Sequence, residues 1–269
     1  MLDSPLTSVK GIGPKRAELF EKLGVSCVRD LLFRLPRGYL DYTKATTISQ
    51  LVNGQNAAVQ VRISGATRYF RKKGMTMLSA PAQDETGKIT LKWFNQPYRS
   101  SQLQIGEITY ASGRVLKKNG VSLINPSLSQ ALPGIVPVYP TIKGVNQRAW
   151  RDSIFACLES ALDKIPEPLP RTILERYSLV PLALALRHAH FPFSREALEL
   201  ARRRLDFENT LLYFIIVELQ KAERLRQNGF SFDTSGVLAR FTAQLPFSLT
   251  RAQLRVIDEI SNDMRAPVP

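Results

Sequence analysis

A change of hydrophobic period at Ala57 constrains this chain more than any other feature. From there Val59, Val61 and Ile63, and later Ile89 and Leu91, alternate with polar residues. That spacing suits strands with one buried face and cannot line one side of a helix. Turn-forming residues cut the region into short pieces. Arg71-Lys72-Lys73-Gly74 and Lys117-Lys118-Asn119-Gly120 read as basic hairpin tips, and Asp84-Glu85-Thr86-Gly87 as a further turn. The predicted strands are Ala57 to the first tip, Met75 to Pro81, Lys88 to Phe94, Ile108 to Val115 and Val121 to Asn125. A short helix from Pro97 to Leu103 falls between the third and fourth. Pro81 leaves the end of the second strand open.

Five short antiparallel strands with that one helix form the pattern of an oligonucleotide-binding (OB) barrel, so the predicted fold class is α+β. Helical periodicity flanks the barrel on both sides. In the N-terminal region, 1–56, a Gly11-Ile12-Gly13-Pro14 turn precedes a helix with Ala17, Leu19, Phe20 and Leu23 inward. Backbone amides at Gly11 and Gly13, with Lys15 and Arg16, could meet a phosphate in a helical hairpin, or the motif could be a tight turn only; both readings stand. A second helix is expected from Val28 to Leu35, and Arg37-Gly38-Tyr39 as an irregular connector. Residues 133–145 form a bridge in which Pro133, Pro137 and Pro140 exclude a helix. The segment 146–244 reads as helical, ending in a long helix from Ser194 to Gly229. Its seam of Leu198, Leu205, Leu212 and Leu219, seven residues apart, predicts a buried face, on which Leu212→Ala would cost roughly 2 to 5 kcal/mol. Arg202, Arg203 and Arg204 read as solvated partners of neighbouring acids.

Charge narrows the partner. The net charge is +14 with a sequence pI of about 10.0, and residues 57–132 hold eleven Lys or Arg against three Asp or Glu. A basic field of that kind calls for a polyanion, with nucleic acid foremost. No apolar run approaches the roughly 18 residues needed to cross a membrane. Cys27 and Cys157 are isolated and the first ten residues lack the apolar core of a leader, which predicts a reduced, cytoplasmic protein.

The strongest candidate site is the aromatic cluster that ends the third strand. Trp93, Phe94 and Tyr98 lie among Lys92, Asn95, Gln96 and Arg99. Aromatic faces beside cations suit stacked bases and their phosphates, while aromatics at a strand end most often serve as core; both readings stand for these rings. Alternation puts Trp93 on the Ile89/Leu91 face and Phe94 on the Lys92 face. Arg71, Lys72, Lys73, Arg114, Lys117 and Lys118 are candidates for phosphate contacts. No catalytic set accompanies them. His188 and His190 have no cysteine or clustered carboxylate beside them in the sequence, and the one Gly-Lys pair, Gly87-Lys88, is followed by Ile89 rather than Ser or Thr. No bound metal or cofactor is expected in this chain.

Several segments, in order, carry a family resemblance: LTSVKGIGPKRAELFEKLGV, LPRGYLDY, DETGKITLKWFNQPY, VPVYPTIKGV and, from Leu245, LPFSLTRAQLRVIDEI. Together they resemble the RecG family of bacterial branch-migrating DNA helicases. The resemblance implies a wedge that splits branched DNA, with Phe94 and Tyr98 stacking on bases at the junction and Trp93 in support. It implies that 245–269 begin a motor domain, where Phe247 would lie on adenine and Gln253 would hydrogen-bond its edge. ATP and magnesium belong to the full-length family, and this chain should not hydrolyse ATP. The implied partners are replication forks, Holliday junctions, single-stranded DNA and single-stranded-DNA-binding protein, with no membrane and a monomeric state. The alternative is a motorless OB-fold adaptor that binds single-stranded nucleic acid.

Overall fold

The computed structural model describes residues 2–72, 74–141, 143–226, 229–233 and 235–266. In chain order the helices and strands are α1 Pro14–Glu21, α2 Val28–Leu32, β1 Gly38–Tyr42, β2 Asn56–Ile63, β3 Arg68–Lys72, β4 Met75–Asp84, β5 Gly87–Phe94, β6 Ile108–Lys117, β7 Val121–Ser129 and β8 Gly134–Val138. Helices α3 Gln147–Ala161, α4 Arg171–Tyr177, α5 Leu182–His190, α6 Arg195–Leu225, α7 Ser235–Ala243 and α8 Arg251–Arg265 follow. They fall into two units, Met1–Leu205 and Asp206–Pro269.

The alternating region forms a six-stranded mixed sheet in the order β2-β6-β7-β5-β4-β3, with a further pairing of β2 to β4. Two expectations change here. The first predicted strand is in fact two, because the chain leaves β6 at Ser64 and re-pairs as β3 with β4 alone. The sheet is also not wholly antiparallel: β6 runs against β2, so β7 runs the same way as β5 and joins it in parallel. Pro81 does not break its strand. It sits opposite Thr90, and its carbonyl accepts from Ser64 N at 3.0 Å on the side away from β5, so the missing N–H does not interrupt the β4–β5 ladder.

Local chemistry sets the turns. Asp84 Oδ1 accepts from Thr86 N at 2.7 Å and Gly87 N at 2.9 Å, which folds β4 onto β5. Lys117 pairs with Val121 across a turn in which Asn119 and Gly120 take φ of 56° and 100°, the region these residues tolerate best. The core beneath the sheet is Val59, Val61, Leu78, Leu91, Trp93, Val115 and Leu123 with their neighbours.

The helical segments on either side of the sheet share one core. Phe20 and Leu31 of the N-terminal hairpin pack with Trp150 and Ile154 of α3. Helix α2 stops at Leu32, short of Leu35. The presumed connector after it is strand β1, which pairs with β8 of the Pro-rich bridge; Pro137 lies opposite Tyr39 in that two-stranded ribbon. Extended backbone is what closely spaced prolines favour.

His190 of α5 ties these pieces together. The Leu32 carbonyl can only accept, so Nε2–H donates to it at 2.7 Å, and Nδ1 accepts from the Tyr139 hydroxyl at 2.9 Å. Burial lowers the imidazole to about 4, against a partial opposing effect of the Leu32 bond. Because the folded value lies below the ordinary 6.5, this group's share of stability is present above pH 6.5 and is lost as pH falls toward 4. The loss is expected to reach roughly 3 kcal/mol. Urea midpoints measured from pH 7 to 4 should fall more steeply for the native chain than for His190→Gln.

Helix α6 keeps only half of its expected seam. Ser194 Oγ caps it by accepting from Ala197 N at 3.1 Å, and Leu198, Ala201 and Leu205 are buried, the last two packing with Leu182 and Leu186 of α5. Leu212 and Leu219 are instead exposed, at 52% and 65%. The heptad spacing is the same throughout, so spacing alone does not decide burial among the described residues. Leu205→Ala should therefore cost about 2 to 5 kcal/mol and Leu212→Ala under about 0.5, read from thermal midpoints.

Candidate nucleic-acid interface

The aromatic cluster forms around the end of β5, where two asparagines set the geometry. Asn95 adopts φ 55°, its N donates to Thr76 O at 2.7 Å and its Oδ1 accepts from Thr76 N at 3.0 Å. Asn125, at φ 45°, accepts from Phe94 N at 2.9 Å through Oδ1. The strand is thereby held while the chain swings into the 3-10 turn Pro97–Gln102, with Pro97 at its start.

Trp93, Phe94 and Tyr98 end in three different environments. Trp93 is fully buried and its Nε1 donates to Pro126 O at 2.7 Å. The close approach of Pro126 depends on Gly113, where a Cβ would lie 3.1 Å from both Ile124 O and Pro126 Cα. Trp93 as a direct DNA contact is therefore corrected: strand alternation carries its ring into the core beside Leu78 and Leu91. It supports the surface from below, with the Arg99 guanidinium 6.0 Å from its ring centroid. Phe94 is half-buried on the opposite face. Tyr98 is 61% exposed, and its hydroxyl donates to Gln96 Oε1 at 3.3 Å. That same Oε1 accepts from Arg99 Nε at 2.8 Å, so Gln96 holds both the ring and the cation.

The remaining predicted residues spread over separate surfaces. Lys92 is half-buried on β5; Arg114, Lys117 and Lys118 are exposed at the β6–β7 end, where Lys117 N donates to Asn53 Oδ1 at 2.8 Å. Arg71 is exposed on β3. Lys72 closes that strand opposite Met75, and Lys73 lies outside the described residues.

Gly11, Gly13, Lys15 and Arg16 lie on the surface of the N-terminal helical segment rather than on the sheet. Gly11 takes φ 96° and Gly13 caps α1. Together with Gly144 and Asn146 they line an open cleft of about 710 Å³. Arg16 Nη1 donates to Gly11 O at 3.1 Å, so part of its charge is turned onto the hairpin itself.

In the second unit Phe247 is exposed beside a shallow cleft of about 460 Å³. Gln253 forms a capping box with Thr250, accepting from Thr250 N at 2.9 Å, and so begins α8. Among the described residues no three metal-binding side chains cluster. No helix among them is long and apolar enough to cross a membrane.

Two functional candidates escape a linear reading. Tyr69 and Phe70 are both more than half exposed on β3. Their signal is the same aromatic-cation pairing as in the β5 cluster, YFRK, inside a stretch that reads as one continuous strand.

A basic sheet with a rim of exposed aromatics, carried on helices, defines a wedge-type domain, and residues 5–160 match the family model for the RecG wedge domain. The chain belongs to the RecG family. It is 33% identical to the ATP-dependent DNA helicase RecG of Synechocystis sp. and 32% identical to that of Thermotoga maritima, in each case over 100% of this chain but only 35% and 36% of the relative. It also superposes along its whole length on 38% of a RecG solved bound to a three-way DNA junction, with a TM-score of 0.79 and 29% identity. The chain thus spans little more than a third of the length of these relatives.

Proposed function

We propose that this chain supplies the junction-binding wedge of a RecG-type ATP-dependent helicase, gripping forks and Holliday junctions in the cytoplasm during fork reversal, recombination and repair. The observation that carries the reading is the exposed Tyr98 ring, set with half-buried Phe94 at a rim whose cations are Lys92 and Arg99. An exposed ring beside cations suits an unpaired base and its phosphate, and unpaired bases occur only where strands separate.

The pairings support an OB barrel within residues 57–132. Following β2, β4, β5, β7 and β6 returns the chain to β2, with β3 as an added edge. In this reading 1–56 is the helix-hairpin-helix-like N-terminal region, 133–145 the bridge, 146–244 the linker and 245–269 the beginning of the motor. Phe247 and Gln253 would hold the adenine ring of ATP, whose magnesium-assisted hydrolysis in the motor of the full-length family would supply the energy of translocation. Arg71, Lys117 and Lys118 would meet duplex phosphates, with Lys15 and Arg16 at the glycine hairpin.

The test is fluorescence anisotropy on a three-way junction and a matched duplex over a salt series. The double variant Phe94→Ala, Tyr98→Ala should lose the fork preference, each stacked ring being worth roughly 1 to 3 kcal/mol, and keep its duplex affinity. Removing one phosphate contact should instead weaken both DNAs and lower the salt slope by about 0.9. A folded double variant that still prefers forks would sink the proposal.

A further inference from the structure

Edge strand β3 carries an aromatic residue that the wedge reading leaves unused. Phe70 is 55% exposed. In the sheet register it lies opposite Met77 of β4, and Met77 lies opposite Phe94 of β5. Residues opposite one another in an antiparallel ladder project from the same face, and neighbouring strands are about 4.8 Å apart. Phe70, Met77 and Phe94 therefore form a single apolar row, about 10 Å long, across three strands. The next row on that face is Arg68, Ser79 and Lys92, with Arg68 exposed and Lys92 partly so. Tyr69, by contrast, projects the other way, in register with buried Leu78, and its hydroxyl donates to Pro97 O at 3.3 Å.

We propose that this row is a track for one single strand of DNA leaving a branch, its bases lying on Phe94 and Phe70 with Met77 between and its phosphates on Lys92 and Arg68. The proposal rests on the wedge reading and adds a second stacking platform to it. Two rings about 10 Å apart cannot take bases stacked directly on each other, which lie roughly 3.4 Å apart along a duplex strand, so they suit a single strand whose bases are splayed onto separate rings. Charge complementarity selects the occupant: neither row contains an acid, and the second carries Arg68 and Lys92. A cationic rail beside aromatic rings is how single strands are held without sequence preference.

The experiment uses the 269-residue chain, a fork with one single-stranded arm carrying 2-aminopurine, and a matched duplex. Phe70→Ala should weaken fork binding roughly 5- to 100-fold and abolish the 2-aminopurine quench, while duplex affinity stays within about twofold. Phe70→Trp should restore both, because a ring and not a packing contact is required. Arg68→Ala should lower the salt slope on the single-stranded arm by about 0.7. Circular dichroism should show each variant folded, since both side chains are exposed. Undiminished fork affinity and quench in Phe70→Ala, with the fork preference still lost in Phe94→Ala, Tyr98→Ala, would overturn the track and leave the wedge standing. A native chain with no fork preference would overturn both. Loss of self-association in Phe70→Ala with fork binding unchanged would make the row a contact between copies and overturn the track.

Discussion

Trp93→Ala is expected to cost about 3 to 5 kcal/mol and to unfold the sheet domain before it reveals any effect on DNA. The indole is fully buried among Leu78, Leu91 and Leu123, so its removal leaves a cavity lined by close-packed side chains. The Pro126 carbonyl also loses its 2.7 Å donor. The check is urea denaturation followed by circular dichroism, with DNA binding measured only on protein that remains folded. A Trp93→Ala chain that kept its midpoint while losing junction affinity would return the ring to the DNA surface. Trp93→Phe should recover much of the packing without the hydrogen bond. Tyr98→Ala should behave in the opposite way, because its ring is exposed: little change in midpoint and a lost fork preference.

Glu167→Ala is expected to be similarly damaging, at about 3 to 5 kcal/mol, through an ion pair rather than a cavity. Arg204 is fully buried on α6, and its Nη2 donates to Glu167 Oε1 at 2.7 Å. Glu167 also accepts from Leu182 N at 2.6 Å and Leu169 N at 3.0 Å. Its carboxyl is shifted below the ordinary range. Burial pulls it upward, and the Leu182 and Leu169 amides and the Arg204 guanidinium outweigh that pull. Removing the carboxylate strips a buried guanidinium of this partner and frees two amides at once. Because the folded carboxyl is depressed, its stabilisation is present above the usual carboxylate range and is lost as pH falls through the folded value. Glu167→Gln keeps the size but not the charge, so it should fall between the native chain and Glu167→Ala in thermal midpoint. Equal midpoints for all three would show that the pair contributes nothing.

These residues show which parts of the molecule a linear reading can reach. The Asp84 turn, the Asn119-Gly120 tip, the start of α6 at Ser194 and the helical character of 146–226 were all legible, because each depends on the conformational preferences of a few adjacent residues. Alternation separated Trp93 from Phe94 for the same reason: a pleated strand sends neighbours to opposite faces whatever surrounds it. The family was legible from the order of its segments.

Other features depended on distant partners. Whether Ala57 to Lys72 is one strand or two turns on β6 ending as a partner and β4 taking over. The β1–β8 ribbon joins segments nearly a hundred residues apart, and neither reads as a strand alone. Arg204 resembles its neighbours Arg202 and Arg203 along the chain, yet only Arg204 is buried, opposite a glutamate in a separate loop. Leu205 and Leu212 occupy equivalent seam positions, yet among the described residues Leu205 is buried with Leu182 and Leu186 while Leu212 is 52% exposed. Phe70 became a candidate only when the register aligned it with Met77 and Phe94. Local sequence settles the shape of a turn or the face of a strand because those energies act over a few bonds. Burial and cross-strand alignment were decided by the tertiary structure, since they arise between residues that meet only after the chain has folded.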